Sequence, residues 1–361
     1  NSGNAFRIHR LNFTTHSWVD TGVAIESRAN SHSDVLWDGT KLYIASHLFV
    51  ANGSASGNPM LLFRYSYNTV TDTYSLDSGF PATIGDFSTE SLMIEKDSTG
   101  TVWAAWTQST RVRIAHTLAS DTSWSSSIVL PPNTANLNVD DICALVRFNG
   151  DRIGVVWSDQ VVNAYRFSFH IDGAADTAWS AAENATTGET DDHMNLAADS
   201  TGRVFIAGKN AANEQLLLVR AAAGGWSRVV VSTPSPIRTP PIVVLKEQAT
   251  RIHIFATGQD TGEVFEKTSA LNSISFPSGN GTIVLRDSGT VFRISNPTST
   301  RQNVDGSSGL VVLAHHDTTG FYWHHEVAPS APPLPVADFD APLVTGAAPL
   351  TVNFMDASTG E

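Results

Sequence analysis

Short apolar runs, each entered through a tight polar turn, recur along this chain at nearly constant spacing. The second residues of these runs are Leu42 in KLYIAS, Val102 in TVWAAW, Ile153 in RIGVVW, Val204 in RVFIAG, Ile252 in RIHIFA and Val311 in LVVLAH, so the steps are 60, 51, 51, 48 and 59 residues. Units of that size are too small to be independent domains, and a regular period of this kind marks a repeat protein. Each marked run is flanked by further strand-like runs. In the second unit SLMIEK precedes the turn Asp97-Ser98-Thr99-Gly100, TVWAAW follows it, and RVRIAHTL and SWSSSIVL come next. Turns every 8 to 14 residues, strands rich in Thr, Val and aromatics, and no sustained helical period predict an all-β chain.

Four antiparallel strands per unit, repeated, predict a β-propeller. The expected count is six blades over residues 1–328, with seven as the alternative. Five units carry an aromatic 22 to 32 residues after the marked position, at the expected start of the outer strand: Tyr74, Trp124, Trp179, Trp226 and Phe276. The sixth has none, while the N-terminal FRIHRLNFTTHSW is similar to RIAHTLASDTSW of the second unit. The N-terminal segment is therefore expected to complete the last blade around Trp18 and hide its edges.

Composition narrows the function class. The chain has 361 residues, is 41% hydrophobic and only 16% charged, and carries a formal charge of −13. That balance disfavours nucleic acid and anionic membranes as partners, and no run approaches the ~20 apolar residues of a membrane-spanning helix. A polar surface made of Ser, Thr, Asn and Gly is expected of a secreted protein whose leader has been removed. The single Cys143 excludes an intrachain disulfide and is expected in the core.

Beyond residue 328 the pattern changes. Residues 329–335 are a Pro-rich linker, and 336–361 contain Val336-Ala-Asp-Phe339, Gly346, Ala348-Pro-Leu-Thr-Val-Asn-Phe354 and Asp356-Ala-Ser-Thr-Gly360. This segment resembles the opening of a PKD domain, which implies an immunoglobulin-like sandwich of which only the first part is present. Its alternating strands Val336–Phe339 and Leu350–Phe354 need a partner sheet, so self-association by strand addition is one expectation.

Functional side chains are expected at the mouth of the channel, where the innermost strands begin and the second strands end. The entrances read Asn30-Ser-His32-Ser-Asp34, Ser88-Thr-Glu90, Asp140-Asp141, Asp191-Asp192-His193-Met-Asn195, Arg238-Thr239 and Arg301-Gln-Asn303. His32 and His193 each lie six residues before the turn aspartates Asp38 and Asp199. Carboxylates and amides around them suit a hydroxyl-rich ligand. The residues Asp191 to Gly202 resemble the Asp-Asp-His-Asn motif of BNR-repeat propellers, including propeller-fold polysaccharide lyases. The resemblance implies His193 as a proton-transferring base, with Asp192 and Asn195, and more weakly His32 with Asp34. It departs from that pattern in having no second histidine near Asn210 and no sialidase-type Asp-box.

The leading expectation is therefore an extracellular propeller that engages a polysaccharide, cleaving a uronate-containing chain by elimination. His193 would be the base, His32 or Tyr165 the acid, and Arg166 or Arg220 the partner of the uronate carboxylate, with Arg64, Arg238 and Arg301 as further cations and Asp192, Asn195, Asp34 and Glu90 binding substrate. The alternatives are a non-catalytic lectin or adhesin and a structural subunit of an extracellular assembly. No cofactor or metal motif is expected, save calcium at the acidic mouth. Asp140, Asp141 and Asp191 are expected to cap turns, and Trp37, Trp103, Trp106 and Trp157 to pack between blades.

Overall fold

The computed structural model describes residues 6–50, 56–235, 238–287, 294–304 and 309–327, together with the pairs 339–340 and 355–356. No helix occurs among them. A hairpin of β1 (Phe6–Asn12) and β2 (Ser17–Glu26) precedes the first blade, β3 (Ser31–Trp37), β4 (Lys41–Leu48), β5 (Pro59–Asn68) and β6 (Thr73–Leu76), with β7 (Ala82–Asp86) also paired to β5. Blade two is β8 (Leu92–Lys96), β9 (Val102–Gln108), β10 (Arg111–His116) and β11 (Ile128–Val129). Blade three is β12 (Cys143–Phe148), β13 (Arg152–Asp159), β14 (Ala164–Ile171) and β15 (Glu183–Asn184). Blade four is β16 (Met194–Ala198), β17 (Val204–Lys209), β18 (Gln215–Arg220) and β19 (Trp226–Ser232). Blade five is β20 (Ile242–Lys246), β21 (Arg251–Gly258), β22 (Glu263–Ala270) and β23 (Thr282–Leu285). Blade six is β24 (Ile294–Thr298), β25 (Leu310–His316) and β26 (Tyr322–Val327). The chain is a six-bladed β-propeller.

The marked apolar runs are the second strands of the blades. They read as continuous hydrophobic stretches because neighbouring blades cover both their faces: every residue of β9 except Gln108 is buried, as is every residue of β13 except Arg152. One core therefore lies between each successive pair of sheets. Leu36, Tyr43 and Met60 of blade one meet Ile94 and Trp106 of blade two, and Trp103 and Ile114 of blade two meet Cys143, Val155 and Trp157 of blade three. The turn before each marked strand is built the same way in three blades. Asp38 Oδ1 accepts the N–H groups of Thr40 and Lys41 (2.9 and 2.7 Å), Asp97 Oδ1 those of Thr99 and Thr101 (both 2.9 Å), and Asp199 Oδ1 those of Thr201 and Arg203 (3.1 and 2.9 Å). Each turn carries a glycine at positive φ, Gly39 at 95°, Gly100 at 94° and Gly202 at 88°, where a side chain would be strained.

The ring closes differently from expectation. β1 pairs with β2 and forms a two-stranded sheet of its own, so among the described residues it adds no strand to blade six. Ile8 packs on Ile44, Phe63 and Tyr65 of blade one, with Val23 and Ile25 beside them. Trp18 does reach the last blade, as a side-chain clasp: its Nε1 donates to His324 Nδ1 at 3.2 Å with the rings edge-on, and His16 Nδ1 lies 2.8 Å from Glu326 Oε2. The third strand of blade six is β26. Past residue 327 the described pieces are β27 (Phe339–Asp340) and β28 (Met355–Asp356), paired antiparallel. The linker, and most of the strands expected at 336–339 and 350–354, lie outside the described residues.

Candidate functional site

The innermost strands begin at one end of the channel, here the open end, and run to the turns at the other, the turn end. At the open end Glu90 stands two residues before β8 and His193 immediately before β16, so blades two and four send side chains across the mouth of blade three. His193 Nδ1 lies 2.7 Å from Asp192 Oδ1, and its Nε2 faces Glu90 Oε1 at 4.0 Å. Behind Glu90, His47 Nε2 is 3.4 Å from its carbonyl oxygen. His32 sits opposite His47 on the paired strand, edge-on to it at 5.9 Å, and stacks on Phe49 at 4.7 Å. Three residues singled out in the sequence, His193, Asp192 and Glu90, thus converge, with His32 one ring further along.

The electrostatics of this end follow from burial and crowding. The hydrogen bond to Asp192 raises the His193 pKa, against the opposing effect of burial. Asp192 is held well below the carboxylate range: burial pushes it up, and the hydrogen bonds from His193 and Asp191 outweigh that. Asp191 is pushed up to about 7 by burial and then by Asp192, although Lys209 Nζ lies 3.6 Å away. Burial lowers His47 to about 4 and lowers His32 as well. His193 is thus an imidazole oriented by a carboxylate, an arrangement able to move a proton.

The other expected participants are placed elsewhere. Tyr165 is wholly buried, its hydroxyl lies 2.8 Å from the carbonyl of Lys209 and 3.1 Å from that of His193, and burial raises its pKa, so it supports the loop under His193 and presents no acid to a ligand. Asn195 Oδ1 accepts the N–H of Val243 at 2.9 Å, tying blade four to blade five. Asp34 occupies the equivalent position in blade one, and its Oδ2 accepts the N–H of Ile94 at 2.9 Å. The arginines are committed as well. Arg220 is buried, clamped to Glu183 by hydrogen bonds of 2.8 and 2.7 Å, and lies over three phenylalanine rings. Arg64 bonds Asp77 and Asp121, both at 2.7 Å, and buried Arg238 donates to Asn280 at 2.8 Å. Arg166 faces Asp159 of its own blade at 3.8 Å. Asp141 caps its turn as expected, accepting from Asn138 N at 2.8 Å.

Arg301 is the largest correction. It follows β24 instead of preceding the innermost strand of blade six, and it enters the channel from the turn end. Its Nε and Nη2 bond Asp34 at 3.1 and 2.7 Å, Nη2 also reaches Ile94 O at 2.8 Å, Nη1 reaches Leu145 O at 3.1 Å, and Glu95 lies 3.9 Å away. Gln302 clasps the backbone of Trp37, accepting from its N–H at 3.1 Å and donating to its carbonyl at 2.6 Å. Asn303 Nδ2 donates to Ala198 O at 2.7 Å and Glu247 Oε2 at 2.8 Å. One loop of blade six therefore bonds all five other blades and floors the turn end.

Above that floor lies a cavity of about 740 Å³. Trp37, Asp38, Lys96, Ser98, Asn149, Ser200, Glu247, Gln302 and Asn303 are among its walls. Trp37 is 39% exposed, so it is not the blade-packing residue expected of it, whereas Trp103, Trp106 and Trp157 are buried as expected. Part of its wall comes from the repeated Asp-x-Thr turns at Asp38, Asp97 and Asp199, which the sequence marks clearly but which read there only as punctuation.

No protein-family model matches the chain, and no curated relative matches it. Solved structures do. The BP39L lectin of Burkholderia pseudomallei aligns over 91% of this chain and 90% of its own with a TM-score of 0.64 at 11% identity. The microbial sialidase Hz136 aligns over 83% of this chain and 66% of its own, with a TM-score of 0.53 at 12% identity. The SapL1 lectin, solved with α-methyl fucoside, aligns over 83% and 97%, with a TM-score of 0.50 at 11% identity. At such identities the likeness is one of fold.

Proposed function

We propose that this chain is an extracellular, non-catalytic glycan-binding propeller that takes a neutral, hydroxyl-rich saccharide in the turn-end cavity. The cavity carries the reading: its volume falls within the ~300–1,000 Å³ usual for small-ligand sites, its walls offer hydroxyl, amide and carboxylate groups, and the exposed Trp37 ring gives a sugar face something to lie on. Two of the similar folds bear the name lectin, which agrees with the reading.

Eliminative cleavage of a uronate polymer is the second reading, favoured by the His193–Asp192 pair. It needs a cation for the substrate carboxylate, and each of the five candidate arginines already faces a partner within the protein. Binding to an immobilised panel of neutral and uronate glycans tests the proposal. A neutral glycan should bind, and Trp37→Ala should weaken it at least ~10-fold with an unchanged melting curve, since the ring is not part of the core. Binding unaffected by Trp37→Ala, or confined to uronate polymers, would overturn it.

A further inference from the structure

The open end holds a second constellation that glycan binding does not use. Glu90, Asp192 and His193 each offer a ligand atom, all within 4.8 Å of one another. Their arrangement is that of a prepared metal ligand. Asp192 holds Nδ1 at 2.7 Å and so fixes the ring, leaving Nε2 turned towards Glu90 at 4.0 Å. Two donors each ~2.1 Å from one ion lie about 3.4 Å apart in a tetrahedral arrangement and about 4.2 Å apart when opposed, so the observed gap needs only a small adjustment. An imidazole oriented by a carboxylate through its other nitrogen is the usual support of a histidine ligand.

The surroundings point the same way. The ring backing Glu90 is His47, only 3% exposed, with Nε2 at the Glu90 carbonyl and Nδ1 lacking a hydrogen-bond partner among the described residues. At the turn end, carboxylates of blades one and two, Asp34 and Glu95, converge on a cation built into the chain, the Arg301 guanidinium. At the open end, carboxylates of blades two and four converge on an imidazole. We propose that Glu90 and His193, the latter through Nε2 while Asp192 holds its other ring nitrogen, bind one divalent transition ion, of the zinc, cobalt or manganese kind, which clamps blades two and four across the open end of the channel. The imidazole sets the preference: calcium, the ion expected from the acidic mouth alone, takes oxygen ligands, whereas a mixed nitrogen and carboxylate set suits a transition ion. The inference does not rest on the glycan reading.

Calorimetric titration of the chelator-stripped full chain with ZnCl2 tests it, in parallel with CaCl2 and with cobalt(II) followed by its visible absorption. One zinc ion per chain should bind, cobalt should develop ligand-field bands, and calcium should bind at least tenfold more weakly. Glu90→Gln and His193→Ala should each weaken zinc at least tenfold while the metal-free proteins melt like the parent. No saturable heat up to millimolar zinc would overturn the proposal. So would binding that survives in both variants, which would place the ion on exposed histidines such as His315. Tighter calcium than zinc would overturn the assignment of His193 as a ligand.

Discussion

The two ends of the channel are made from the same kinds of residue and are held together in opposite ways. At the turn end a guanidinium reaches Asp34, Glu95 and two carbonyls, and its loop bonds every other blade. At the open end two carboxylates meet a half-exposed histidine, with no staple of that kind among the described residues. Burial raises the pKa of both Asp34 and Glu95, and the Arg301 guanidinium pulls each of them the other way. The comparison teaches that charge in a propeller channel serves the ring when fully enclosed, whereas at the open end water still reaches the charged groups.

The sharpest way to break the comparison is Arg301→Met. It leaves two enclosed carboxylates without their cation and should cost about 3–5 kcal/mol in denaturant unfolding. Adding Asp34→Asn and Glu95→Gln should return part of that loss, and a single variant as stable as the parent would remove the staple from the account.

A second test uses the two histidines flanking Glu90. Burial lowers His47 to about 4, so the unfolded chain binds a proton there that the folded chain does not, between about pH 6.5 and 4. Stability should fall by about 3 kcal/mol as pH drops through that window and level off below it. His193 is shifted the other way, so its contribution is fully present below about pH 6.5 and fades as pH rises through its folded value. Unfolding measured from pH 7.5 to 4 should therefore show a shallower acid loss in His47→Gln and a steeper one in His193→Ala. Parallel curves for both variants would contradict the assignment.

Smaller effects follow. Gln302→Ala removes two hydrogen bonds to the Trp37 backbone and should cost about 1–2 kcal/mol. Glu90→Gln at the wetter end should cost less than about 1 kcal/mol in metal-free protein, and a larger loss than Gln302→Ala would reverse the contrast between the ends.

Much of this architecture was legible in the sequence. The repeat period, the largely apolar second strands and the Asp-x-Thr turns are local signals, and they sufficed for an all-β propeller of six blades. His193, Asp192 and Glu90 could be grouped because each sits at the same place relative to its blade. Arg301 could not. Blade six departs from the common spacing, so counting back from its marked strand put the loop after β24 at the wrong end of the channel. Tyr165 and Arg220 were misjudged for a related reason: a polar residue on a strand reads alike whether it faces solvent or a carboxylate buried beside the next blade. Trp37 erred in the opposite sense, since it ends an innermost strand and aromatics at such positions ordinarily pack.

The most direct test of where this propeller meets its ligand is backbone hydrogen exchange with and without a saturating glycan. Protection should concentrate at residues 36–39, 95–100 and 300–304, around the turn-end cavity. Protection at 88–90 and 191–195 instead, together with growth of unsaturated-uronate absorbance that His193→Ala abolishes, would contradict the account and make the open end an active site.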